Sequence, residues 1–189
     1  TNSDFFLVVS GTLATVVTFD NCYLNCSNNT GISHTSSSAS SLITINNCQG
    51  NLATTGIAYF VSTSAGDTII RRSNLGNTGA STTVSSSSAG EINISNSRMN
   101  CIFSTSSTGR FSITNSSVDT STINATILTM AGTGISTISQ SYFASGTAST
   151  FSIGAGCEAG ITLCNVSSTN TNAITGAGTL ASYTSIAFP

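Results

Sequence analysis

A right-handed parallel β-helix is the architecture expected of this chain: all-β, seven to eight coils, one domain over residues 1–189. Three features carry that expectation. Short apolar-x-apolar stretches recur along the whole length. An amide residue follows most of them at a fixed distance. β-Branched, aromatic, glycine and hydroxyl residues crowd out good helix formers. A repeat of about 20–50 residues that alternates internally with period two marks a strand solenoid.

The second apolar residue of each stretch serves as a reference: Phe19, Ile45, Ile70, Ile94, Ile113, Ile138 and Leu163. Their spacings are 26, 25, 24, 19, 25 and 25 residues, with a mean of 24. Two positions earlier stand Val17, Ile43, Thr68, Ile92, Phe111, Ser136 and Ile161. Ten positions earlier stand Val9, Phe60, Val84, Phe103, Leu128 and Ile153, with Thr35 as the exception. Each coil therefore carries two short strands at a fixed separation, and length variation falls after the amide. Ile, Val, Phe and Thr suit a pleated, half-buried surface. No segment offers the roughly 10–12 helix formers that a helix needs. Gly66, Gly90, Gly134 and Gly160 stand close before strands, as turn residues.

Two residues after the reference come Asn21, Asn47, Arg72, Asn96, Asn115, Gln140 and Asn165. The next position reads Cys22, Cys48, Ser73, Ser97, Ser116, Ser141 and Val166. Amides at one turn of successive coils can donate to one neighbour and accept from the other. A structural stack of Asn21, Asn47, Asn96, Asn115, Gln140 and Asn165 is expected, with Arg72 interrupting it. Each strand bonds to its equivalents above and below, which satisfies the backbone between coils. One coil cannot bury its apolar face alone, so stability comes from its neighbours. Seven coils at about 4.8 Å each make a rod of roughly 34 Å. Both ends read as uncapped: strand packing starts at Phe5-Phe6-Leu7-Val8-Val9, and Ser185-Ile186-Ala187-Phe188 resembles the start of an eighth strand. The chain is expected to continue on either side, or its ends to meet other subunits.

Only 5% of residues are charged, Lys and Trp are absent, and 67 of 189 are Ser or Thr. A disordered tract could have that composition. The 39% of hydrophobic residues fall on a period, however, and that supplies an interior. A net charge of −2 with four arginines leaves no basic footprint for nucleic acid. No apolar run approaches the roughly 18 residues of a membrane span, and residues Thr1 to Phe6 show no signal-peptide n-region. Cys22 and Cys48 share a repeat position on neighbouring coils, about 4.8 Å apart. That is within reach of a disulfide; a stack of free buried thiols is the alternative. No metal or cofactor is expected. Cys22-x-x-x-Cys26 lacks a second pair, and Cys157 with Cys164 has the wrong spacing for a compact site.

Asp67, Glu91 and Arg110 each lie three residues before a reference in consecutive coils. They should stack, with the carboxylates roughly 5 Å apart, a spacing like that of a retaining glycosidase pair. The same stack also serves as a surface charge ladder in which Arg110 offsets Glu91. No His or second basic residue nearby completes a mechanism. The chain is therefore expected not to be an enzyme, with glycan hydrolase or lyase chemistry at Asp67 and Glu91 as the alternative. His34, in Ser33-His34-Thr35-Ser36, meets Ser by composition alone and makes no triad. Arg71, Arg72 and Arg98 read as outward solvated residues or as a small anion or glycan contact. Six sequons, at Asn25, Asn28, Asn93, Asn115, Asn124 and Asn165, match chance for 18 Asn in so hydroxyl-rich a chain. Stacking at Asn115 and Asn165 would leave no room for a glycan.

Coils such as Glu91-Ile92-Asn93-Ile94-Ser95-Asn96-Ser97 and Phe111-Ser112-Ile113-Thr114-Asn115-Ser116-Ser117 carry a further likeness. They resemble the Ser/Thr/Gly/Asn-rich β-strand-repeat proteins of phage and virus fibres and of bacterial surface adhesins. The closing stretch from Thr171 to Leu180 resembles segments of tail-fibre-like repeats. The resemblance implies an elongated virion or extracellular, cell-surface structural protein. It also implies a homo-oligomer, trimer or filament, that presents a surface to a host receptor or glycan. A self-assembling extracellular filament is a further reading. No catalytic residues carry over, and the scarcity of charge departs from many phage depolymerases.

Overall fold

The computed structural model describes residues 7–26, 31–52, 58–62, 64–76, 83–120, 124–168 and 174–184. Among them every regular element is a strand and every strand pairing is parallel, giving a β-solenoid. The strands form three sheets of eight, eight and seven members, each pairing with its equivalents in the coils before and after. The first sheet starts at Leu7–Val9 and Ile32–His34, the second at Val16–Asp20 and Leu42–Asn46, the third at Tyr23–Cys26 and Gln49–Leu52. The third sheet occupies the stretch after the amide, where the sequence reading placed only variable loop. Its inward column is Leu24, Gly50, Leu75, Met99, Val118, Phe143 and Val166.

The core sits inside the coils. In the second sheet, Phe19, Ile45, Ile70, Ile94, Ile113, Ile138 and Ile161 stand in register. The six isoleucines are fully buried, each stabilising by about 1.5–3 kcal/mol relative to exposure. Edge-to-face aromatic pairs tie the sheets together across the interior. Phe103 meets Phe111 at 5.3 Å, and Phe143 meets Phe151 at 5.0 Å. Such offset geometry aligns ring edge with ring face.

The final coil is shorter than the sequence reading has it. Ile161, not Leu163, pairs with Ile138, and Ala159 rather than Ile161 stands two residues before it. In the first sheet, Leu7 and Ile32 take the positions assigned to Val9 and Thr35; Ile32 pairs with Phe60. The eighth strand of the second sheet is Thr179–Thr184, whereas Ser185 to Phe188 and Phe5-Phe6 lie outside the described residues.

Glycines mark where coils approach most closely. A Cβ on Gly90 would meet the carbonyl oxygen of Gly66 at 2.1 Å, and one on Gly134 that of Gly109 at 1.9 Å. Gly66, Gly90 and Gly134 thus permit backbone-on-backbone stacking where the chain enters the second sheet. Gly160 differs, lying inside the strand Glu158–Thr162.

Candidate binding groove at the left-handed corner

Between the second and third sheets, each coil turns on one residue in the left-handed region. These are Asn21, Asn47, Arg72, Asn96, Asn115, Gln140 and Leu163, with φ between 47° and 54°. Asn suits this backbone because its short polar side chain offsets the steric cost that Cβ brings there. The backbone N–H groups of the first six donate along the axis, for example Asn47 to Arg71, Arg72 to Ser95, Asn96 to Thr114 and Asn115 to Ser139. Side-chain amides link Asn47 to Asn21, and Asn115 Nδ2 to Asn96 Oδ1 at 2.6 Å. Asn165 is not in this column. It begins a third-sheet strand opposite Tyr142, and Leu163 turns the last corner in its place.

The following residue points inward and closes a second ladder. Ser97 Oγ donates to the Ser95 carbonyl at 2.8 Å and accepts the Ser73 N–H at 3.2 Å. Ser73, Ser116 and Ser141 repeat the pattern. One hydroxyl thereby satisfies two buried backbone groups per corner. At either end of the column Cys replaces Ser: Cys22, Cys48 and Cys164 each direct Sγ to the carbonyl two residues back. Cys22 and Cys48 are free thiols in this structure, and burial pushes the Cys48 thiol upward.

Outside this corner runs an open groove of about 630 Å³. Its walls are the left-handed column and the outward third-sheet residues Gln49, Asn74, Arg98, Ser117 and Tyr142, stacked in register. Two arginines line it and no carboxylate does. Arg72 gives Nε and Nη2 to Asn46 Oδ1 at 3.1 and 2.8 Å, and Asn46 in turn donates to Asp20 at 2.5 Å. Arg98 is exposed. Sequence reasoning missed Gln49, Asn74, Ser117 and Tyr142. An apolar residue five positions after five of the seven references, Leu24, Leu75, Met99, Val118 and Phe143, is the signal that reveals their strand.

The charge trio falls on the outer face of the second sheet, away from the groove. Glu91 pairs in register with Arg110, and Asp67 Oδ1 accepts the Glu91 N–H at 2.8 Å. Glu91 Oε2 takes a bond from Asn93 Nδ2 at 2.9 Å, so local partners engage both carboxylates. Arg71, on the same sheet, is exposed and faces away from the groove. His34 is fully buried, and its partners are not its sequence neighbours Ser33 or Ser36. Nδ1 lies 3.3 Å from Thr68 Oγ1, and Nε2 lies 3.0 Å from Ser41 Oγ and 3.1 Å from Ser64 Oγ. Ser41 and Ser64 direct their own protons to the carbonyls of Thr15 and Ser36. That arrangement makes Nε2 the protonated nitrogen and Nδ1 the acceptor. Desolvation lowers the His34 pKa, opposed by the Asp67 charge.

Of the sequons, Asn124 is exposed with φ 50° and accepts the Thr147 N–H, while Asn93 is half-buried against Glu91. Asn28 lies outside the described residues, as does the start of the stretch from Thr171. Among the described residues no group of His, Cys, Asp and Glu is arranged to hold a metal ion, and no helix is long and apolar enough to cross a membrane. No family model matches this chain, nor does any curated protein or solved structure.

Proposed function

We propose that this chain is a structural and recognition module of an elongated fibre, of the phage, virus or bacterial-adhesin kind, at a virion or cell surface. One observation carries this reading. Coils stack strand on equivalent strand in three parallel sheets, and a groove lined by amide, hydroxyl and guanidinium side chains crosses several of them along the stacking direction. A rod of this kind suits a shaft, and a groove that crosses several coils suits an extended partner. The same reading takes the fibre to be a homo-oligomer, trimer or filament. The reading is non-enzymatic, because the one carboxylate pair of the sequence analysis is engaged by local partners and faces away from the groove.

The test is direct. Labelled chain is expected to decorate cell surfaces in a pull-down, and the protein to be found in fibres by immunogold microscopy. Absence from both sinks the proposal. Turnover of a neutral or acidic polysaccharide, abolished by Glu91→Gln, would establish the enzymatic reading instead.

A further inference from the structure

We infer that the corner groove binds a linear glycan bearing carboxylate or sulfate groups, laid along the stacking axis. The inference rests on the recognition reading above and names its ligand class. The first support is the sign of the charge. The chain carries a net charge of −2 from four Arg and six Asp or Glu, yet two of the arginines and none of the acids line the groove. The groove therefore has a local excess of positive charge on an acidic protein, which favours anions there.

The second support is the difference between the two arginines. Arg72 is held by Asn46, which is itself tied to Asp20, so its charge is partly answered within the protein. The Arg98 backbone N–H donates to the Ser73 carbonyl, but its guanidinium makes no hydrogen bond or ion pair among the described residues, and its strand partners Asn74 and Ser117 are uncharged. A guanidinium presented in this way matches a carboxylate or sulfate through two parallel N–H bonds.

The third support is the repeat. Gln49, Asn74, Arg98, Ser117 and Tyr142 stand at one register position on consecutive coils, about 4.8 Å apart. An extended 1,4-linked pyranose chain advances by a similar distance per sugar, so each coil meets one ring. Amide and hydroxyl side chains meet sugar hydroxyls. Tyr142, 41% exposed, offers an aromatic face to the C–H side of a ring.

The experiment titrates the whole chain with galacturonate oligomers, sulfated cello-oligomers and neutral cello-oligomers, all 1,4-linked, by calorimetry. Binding of one or both anionic series is expected, with the two arms separating carboxylate from sulfate recognition. The neutral series should bind at least about tenfold more weakly, and added salt should weaken the anionic interaction. Arg98→Gln should cost about tenfold in affinity and Tyr142→Ala about threefold, both with unchanged thermal unfolding. Asp67→Asn, on the outer face of the second sheet away from the groove, should leave affinity unchanged. Failure of both anionic series to bind, equal binding of the neutral series, or full affinity in Arg98→Gln overturns the inference. Cell decoration retained by Arg98→Gln leaves the recognition reading standing while the groove assignment falls. Oligomer binding without any association with cells or fibres does the reverse.

Discussion

Two corners of the coil behave in opposite ways. Between the second and third sheets, every coil turns in two residues, one left-handed and one inward: Asn96-Ser97, Asn115-Ser116 and so on. Between the third and first sheets, the connection ranges from Cys101 alone to residues 120–127. The constant corner holds buried backbone groups that only an axial ladder of hydroxyls and N–H groups satisfies. At the variable corner the number of connecting residues itself changes from coil to coil, so length there costs little beyond loop entropy. Register is maintained at one place, and tolerance is concentrated at the other.

The largest effect comes from breaking that asymmetry. One glycine inserted between Asn96 and Ser97 should shift every inward residue of the following strand to the outer face. A loss of at least about 3 kcal/mol is expected, or roughly 10 °C in Tm. The same insertion beside Ala125 should cost under about 1 kcal/mol. Equal losses in thermal unfolding would abolish the distinction. Next, Ser97→Ala removes the hydroxyl that serves Ser73 N–H and Ser95 C=O, and should cost about 1–3 kcal/mol. Chemical denaturation measures it, and a neutral outcome would show that the serine ladder is dispensable.

Smaller effects test the left-handed residue itself. Leu163 turns its corner at φ 52° without an amide, so Leu163→Asn should stabilise by about 1 kcal/mol. Asn115→Leu should lose a similar amount, together with the link to Asn96. If both substitutions are neutral, the axial backbone bonds alone hold the corner. The smallest effect at neutral pH concerns His34. Its pKa is lowered in the folded state from 6.5, so the native chain resists a proton that the unfolded chain accepts. Stability is then fully present above about pH 6.5 and declines as pH falls towards the lowered native value. His34→Gln should flatten that slope in urea melts taken across this range.

The register errors have a physical cause. A slip of two residues keeps each strand's inward and outward faces, so apolar alternation cannot distinguish Ala159-x-Ile161 from Ile161-x-Leu163. The Ser/Cys column could have done so, since Cys164 continues Ser116 and Ser141 where Val166 does not. The groove was less legible than the coils. Its far wall belongs to a sheet whose strands are three to five residues long, too short for alternation to stand out.

Local chemistry, repeated, was enough to determine the stacked parallel strands, the isoleucine column and the left-handed turn. Each depends on residue type at a fixed position, and that information survives in one dimension. Which residues face one another across the corner, which arginine is already engaged, and that His34 rests against Ser41, Ser64 and Thr68 were decided only by tertiary structure. Those pairings join separate coils and depend on the number of residues between them, which the variable corner leaves free to change.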